Sequence, residues 1–229
     1  MKLAKRLAAL AAHIPVGSVA ADIGTDHACL PVFLIENGIC ARVIATELNY
    51  GPFQSASDKV AEHGLENRID LRLGNGLSVL KPGEAGVAIL AGMGGNTIRE
   101  ILEASPEVLK LTSRLVLQPM ADPGDLRVWL VANGWKISDE ELVEDDGRIY
   151  VIIVAEPGRE NAVTPLLLEL GPRLLEKKDP LFGIYLEMVI NKYKKVLVGL
   201  SSSKNEAVRE KSMELKAKIA SIREVQKCL

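Results

Sequence analysis

Val19-Ala20-Ala21-Asp22-Ile23-Gly24-Thr25-Asp26-His27-Ala28 is the stretch that decides the fold class of this 229-residue chain. Small and β-branched residues run up to an acidic side chain and break at a glycine, just ahead of a segment whose Pro31 suits the first turn of a helix. A buried strand ending in such a turn is where an α/β fold can hold a nucleotide-like ligand. Gly24 has no Cβ, so backbone can approach that ligand closely, and the N–H groups opening the next helix face the same space. Asp-x-Gly also occurs in ordinary tight turns, so the reading depends on what surrounds it.

Upstream, Leu3, Leu7, Leu10 and Ile14 recur at helical spacing and leave Lys2, Lys5 and Arg6 largely off the stripe. Downstream, residues 42–47 read as a second strand, after which Pro52 suits a first helical position and Gly64 a C-terminal cap. Residues 69–73 and 86–91 add two strands, 97–104 a helix, 113–118 a fifth strand, and 126–133 a helix closed by Gly134. Strands alternating with helices imply a parallel sheet. Residues 135–143 and 148–155, joined at Asp145-Asp146-Gly147, are expected to close it with a hairpin-like antiparallel edge.

The strand pattern stops at Glu156-Pro157-Gly158, which divides the chain into 1–157 and 158–229. Beyond it everything reads as helix: 165–178 with a break or kink at Gly171-Pro172, then 180–200, then a last helix from Ser203, which stands at capping-box spacing from Glu206. Val208, Leu215, Ile222 and Leu229 lie seven apart and Ile219 completes the seam. Leu181, Ile184, Met188, Val196 and Leu200 are its expected partners in an antiparallel hairpin packed like a coiled coil.

Residues able to do chemistry fall at the strand ends. Glu47, 25 positions after Asp22, closes the second strand, where a carboxylate can accept from both hydroxyls of a ribose or simply end a strand at the surface. Asn75-Gly76 follows the third; its carboxamide can meet the amino group of an adenine, or the pair can make an ordinary turn. Ala91-Gly92-Met93-Gly94-Gly95 closes the fourth, where bare backbone can admit a flat ring or merely turn into a helix. Gln118-Pro119 ends the fifth, either holding a substrate base or terminating the strand. A dinucleotide dehydrogenase would use Glu47 equally well, but its Gly-x-Gly-x-x-Gly is missing: counted from Gly24, Asp26 and Cys29 occupy the later glycine positions.

Lys and Arg number 28 against 30 Asp and Glu, but unevenly: residues 1–159 carry 15 against 21, and residues 160–229 carry 13 against 9. A basic C-terminal part suits a nucleic-acid-binding appendage, or helices whose lysines are simply solvated. Cys29, Cys40 and Cys228 have no paired metal-ligand spacing and an odd count, so reduced thiols in a cytosol are expected and a structural zinc is not. No stretch approaches the roughly 20 apolar residues of a membrane span, so neither export nor insertion is expected.

The combination resembles the bacterial tRNA (adenine(22)-N1)-methyltransferases, class I enzymes that use S-adenosyl-L-methionine. The elements that carry the likeness are Ala21-Asp22-Ile23-Gly24-Thr25-Asp26-His27-Ala28, Gly51-Pro52-Phe53-Gln54-Ser55-Ala56, Asn75-Gly76-Leu77, Ala91-Gly92-Met93-Gly94-Gly95, Leu117-Gln118-Pro119 and the Glu144-Asp145-Asp146-Gly147 turn. One departure stands out: the family pattern commonly has an aromatic residue where this chain has Cys29. The resemblance implies a Rossmann-like seven-stranded sheet, a C-terminal helical hairpin that binds tRNA, cytoplasmic location, no metal, no membrane and no obligatory protein partner. It further implies that S-adenosyl-L-methionine, and S-adenosyl-L-homocysteine as product, sit against Asp22, Gly24, Glu47, Asn75, Gly76, Ala91, Gly92, Met93 and Gly94. Asp26, His27 and Gln118 are the candidates for orienting the base or stabilising charge. The competing functions are a methyltransferase for a small molecule or protein whose helical hairpin dimerises, and a noncatalytic interaction module.

Overall fold

The computed structural model describes residues 3–161, 163–200 and 205–228, with Ala207 described in its backbone only. Lys2, the Ser203 cap, Lys204 and the Leu229 end of the heptad seam lie outside the described residues. Backbone contacts separate two compact units, Met1–Asn161 and Ala162–Leu229.

In the first unit seven strands form one sheet in the order β3-β2-β1-β4-β5-β7-β6. They are β1 (Ser18–Ile23), β2 (Cys40–Glu47), β3 (Ile69–Leu73), β4 (Val87–Met93), β5 (Arg114–Pro119), β6 (Trp135–Asp145) and β7 (Arg148–Pro157). The first five are mutually parallel, and β7 runs antiparallel to both β5 and β6. The β6–β7 hairpin is thus the expected antiparallel edge of the sheet. Its second strand slots in beside β5, which leaves β6 as the edge and puts the antiparallel strand one place inward. Asp146 (φ 49°) and Gly147 (φ 69°) form its two-residue turn, with the left-handed pair whose twist suits a tight hairpin.

Val87, Ala88, Ile89 and Leu90 of β4 and Leu115, Val116 and Leu117 of β5 are buried, as central strands covered on both faces require. β4 runs two residues further than expected, through a register shift between Ala91 and Met93 that gives Gly92 a place out of the ladder. Five helices matching the expected alternation follow: α1 (Lys5–Ala12), α2 (Cys29–Glu36), α3 (Tyr50–Glu62), α4 (Gly95–Glu103) and, after the single-turn α5 (Pro106–Leu109), α6 (Pro123–Ala132). Pro52 is the third residue of α3 rather than its first, still within the turn whose N–H groups have no intrahelical partner. As expected, Gly64 (φ 63°) closes α3 just after His63: its N–H donates to Ala61 O at 3.0 Å and that of Leu65 to Val60 O at 3.1 Å. α6 opens at Pro123, three residues before its expected start. Arg127 of α6 and Glu140 of β6 are fully buried and joined at 2.6 Å.

The second unit is helical: α7 (Pro165–Leu170), α8 (Pro172–Lys177), α9 (Phe182–Leu200) and α10 (Glu206–Lys227). Thr164 caps α7 by accepting the Leu167 N–H at 3.3 Å, and Gly171-Pro172 splits the segment into two helices. Gln226 near the end of α10 donates to Glu187 near the start of α9 at 2.8 Å, so the pair is antiparallel. Leu215, Ile219 and Ile222 of the seam are buried. The α9 stripe has a different phase from the expected one: Phe182, Tyr185, Leu186, Ile190 and Tyr193 are buried, whereas Ile184, Met188 and Val196 are exposed. Aromatic rings bury the most area, and they set which face turns inward.

Candidate functional site

Because β1 to β5 are parallel, their C-terminal ends share one edge of the sheet, and a cavity of about 670 Å³ opens there. Its wall includes Asp22 to His27 from the β1–α2 turn, Glu47 from the end of β2, Asn75, Gly76 and Ser78 after β3, and Ala91 to Met93 from β4. Arg6 and Leu7 of α1 complete it, with Cys29 and Leu30 at the start of α2.

Asp22 is buried, and that burial, with a lesser contribution from the negative charge of Glu47, pushes its pKa up to about 6. Glu47 is held by backbone: its Oε1 accepts the N–H groups of Leu48 and Asn49, both at 3.0 Å, and its Oε2 accepts that of Asp26 at 3.3 Å. Three fixed donors aim a carboxylate that still has lone pairs to offer. Asp26 (φ 54°) and Ala28 (φ 51°) are both left-handed, a concentration of backbone strain that binding turns often carry. The Asp26 and His27 side chains stand at the rim, 67% and 59% exposed and 3.6 Å apart.

Gly24 is required by its left-handed backbone (φ 72°); a Cβ there would also lie 2.4 Å from Met93 Cε, the flexible end of a side chain that can move aside. At Gly92 (φ 78°) a Cβ would meet nothing within 4 Å, so the backbone faces open space. Gly95 differs from both: its Cβ would fall 2.8 Å from the carbonyl oxygens of Ala121 and Asp122, which makes it a packing glycine.

Ten of the expected positions, Asp22, Gly24, Asp26, His27, Glu47, Asn75, Gly76, Ala91, Gly92 and Met93, converge on the cavity wall. Gly94 and Gln118 are not among the lining residues. Gly94 precedes α4 as its N-cap. The fully buried Gln118 accepts a hydrogen bond from Arg6 Nη1 at 3.1 Å through its Oε1, so its influence on the cavity passes through Arg6. Arg6 has no place in the expected cofactor site; only the end of β5, 112 residues later, gives it one. Thr46 and Ser105 carry no signal in the sequence either, and their buried hydroxyls at the wall have no protein partner among the described residues.

The model of one protein family, tRNA (adenine(22)-N(1))-methyltransferase, matches residues 20–224. The chain belongs to that family. It is 42% identical over 187 residues to the tRNA (adenine(22)-N(1))-methyltransferase of Bacillus subtilis, covering 80% of this chain and 79% of the relative. Among solved structures, a Streptococcus pneumoniae protein in complex with S-adenosyl-L-methionine is similar at a TM-score of 0.88 and 34% identity, over 98% of this chain and 100% of that one. M. capricolum TrmK in complex with S-adenosyl-homocysteine is similar at 0.84 and 28%, over 99% of each chain. Membership of this methyltransferase family agrees with the strand order, and it sets aside the dehydrogenase reading of Glu47.

Proposed function

We infer that the protein transfers a methyl group from S-adenosyl-L-methionine to N1 of adenine 22 in tRNA, leaving S-adenosyl-L-homocysteine. The observation that carries this reading is the strand-end cavity, with its backbone-held Glu47, in a chain of the tRNA (adenine(22)-N(1))-methyltransferase family. The residues present fit the cofactor. Asp22, Asp26, Glu47 and Glu100 surround a space suited to a ligand with cationic centres and hydroxyls, and bare backbone at Gly24 and Gly92 leaves room for it. When bound, the cofactor supplies an electrophilic methyl group on a sulfonium.

The protein's own groups then bind and orient. Glu47 accepts the ribose hydroxyls, each charged hydrogen bond contributing about 1.5–3 kcal/mol. Asn75 meets the adenine edge of the cofactor, and the open backbone at Gly92 admits the target ring. N1 of adenine already has a lone pair, so positioning matters more than a strong base. Asp26 and His27, at the rim, orient the base or stabilise the positive charge it acquires. N1 lies on the Watson–Crick edge, so a paired target must be exposed or flipped out first.

Residues 1–157 carry the chemistry in this reading and residues 158–229 grip tRNA through its phosphates, which places the enzyme in the cytoplasm with its substrate. Labelled S-adenosyl-L-methionine and bulk tRNA test it: label is expected in tRNA, with a reverse-transcription stop at position 22. A protein that binds the cofactor but leaves tRNA unlabelled would belong instead to the small-molecule or protein methyltransferase reading.

A further inference from the structure

Met120 is an exposed apolar side chain that is nevertheless fixed. It follows Pro119, the last residue of β5, and is 48% exposed. Its backbone N–H donates to Met93 O at 2.7 Å, and Met93 pairs with Pro119 across the β4–β5 ladder. Its Sδ accepts a hydrogen bond from Gln118 Nε2 at 3.4 Å. Gln118 is fully buried, and its Oε1 accepts from Arg6, whose guanidinium lies over the Tyr150 ring, 5.7 Å from the centroid. Both ends of one buried carboxamide are therefore committed, one to Arg6 and the other to a thioether at the surface. Apolar side chains scattered over a surface are ordinary. A buried amide donor that holds one of them by its sulfur marks a side chain whose position matters.

Strand order says what Met120 faces. The sheet runs β2-β1-β4-β5, with Glu47 at the end of β2 and Met120 just past the end of β5. With the cofactor ribose at Glu47, the methyl acceptor enters from the β4–β5 side. There Gly92, out of the ladder between Ala91 and Met93, leaves open space beside Met120. Leu48, Tyr50 and Leu73 are also exposed at this edge, but they follow or end β2 and β3, on the ribose side. A base drawn out of tRNA loses its stacking neighbours and needs an apolar surface against its ring. A polarizable thioether makes favourable contacts with aromatic rings. We propose that Met120 packs against the ring of the target adenine, with Gln118 as the positioning residue that holds its sulfur in place. The proposal rests on the tRNA methylation reading above and adds to it the group that meets the base.

A double-mutant cycle on tRNA affinity, run with the full-length protein and S-adenosyl-L-homocysteine present, tests the contact without activity. One change is Met120→Ala and the other is a tRNA that is abasic at position 22. The ratio of affinities for intact and abasic tRNA should differ by about 3- to 10-fold between wild type and Met120→Ala, the size of one thioether–ring contact. S-adenosyl-L-homocysteine alone should bind the two proteins within about twofold, since Met120 is not on the cavity wall. Met120→Leu keeps the apolar volume but has no sulfur for Gln118 to hold, so it should retain only part of the coupling. Coupling as large with Leu as with Met would overturn the positioning role of Gln118. An unchanged ratio in Met120→Ala would overturn the contact itself; if both affinities fell together, Met120 would be touching tRNA away from the target base. Loss of S-adenosyl-L-homocysteine affinity in Met120→Ala would overturn it too, because the end of β5 would then have collapsed. If the wild-type protein puts no label from S-adenosyl-L-methionine into tRNA, the methylation reading fails, which is a different result from any of these.

Discussion

Charged groups are treated differently in the two units. Around the cavity each is individually placed: Glu47 by three backbone N–H groups, Arg6 by a buried carboxamide and a ring, Asp22 by burial that works against its charge. In the helical unit Lys194, Lys195, Arg209, Lys211, Lys216 and Arg223 are exposed, and pairs such as Lys211 with Glu214 at 3.3 Å span one helical turn. Fixed groups recognise by geometry, whereas mobile surface charges act through a summed field. Single substitutions should therefore have large, ligand-specific effects in the first unit and small, interchangeable ones in the second.

The sharpest break is at the rim. If Asp26 or His27 positions the base, alanine there should lower the single-turnover rate at saturating cofactor and tRNA by on the order of 100-fold, with S-adenosyl-L-homocysteine affinity kept. Wild-type rates in both variants would move the chemistry to other residues. Next comes Glu47→Ala, expected to weaken S-adenosyl-L-homocysteine by about 10-fold or more because the ribose hydroxyls no longer have their acceptor. An unchanged titration in a folded variant would show that the three backbone donors hold Glu47 for a structural reason only.

The same contrast explains what can be read from sequence. Strand ends are legible because the apolar runs at 18–23 and 86–91 stop at residues with a distinct chemistry, and Asp22, Glu47, Asn75 and Gly92 do meet across one cavity. Arg6 is not, because in α1 it is simply a polar residue beside a stripe, and its partner Gln118 is 112 residues away. Insertion of β7 between β5 and β6 follows from tertiary pairing, which a hairpin pattern does not encode. α5 has four residues, too few to show a period. In α9 the aliphatic residues Ile184 and Met188 suggest one face, and Phe182, Tyr185 and Tyr193 take another.

Asp22 gives a smaller, pH-dependent handle. Its folded pKa of about 6 is raised from 3.8, so the folded protein binds more protons than the unfolded chain between those values. Stability from this group is accordingly lost as pH rises from about 4 through 6, and the cost, up to about 3 kcal/mol, persists above 6. Asp22→Asn should raise the Tm of the ligand-free protein at pH 7 more than at pH 5. The ligand's ammonium group favours the ionised form, so wild-type affinity for S-adenosyl-L-homocysteine should fall as pH drops below 6, by at most tenfold per pH unit, and the Asn variant should lose that slope. A Tm gain equal at both pH values would mean that Asp22 is ionised throughout the range.

The smallest effects should come from the helical unit. Neutralising Lys195 or Lys216 alone is expected to change tRNA affinity less than about threefold, because exposed charges are screened and their neighbours substitute for them. Neutralising Lys195, Lys216 and Arg223 together in the full-length protein should lower affinity further and flatten its dependence on salt, by roughly 0.7–0.9 in log–log slope for each phosphate that is no longer neutralised. Cofactor affinity should stay at the wild-type value, since none of the three lies on the cavity wall. The slope separates two uses of these helices. A packing or dimerisation device would leave both affinity and slope untouched in the triple variant, and tRNA recognition would then fall to Lys5 and the rim of the cavity. A tRNA grip loses both in proportion to the charges removed, whichever three are chosen.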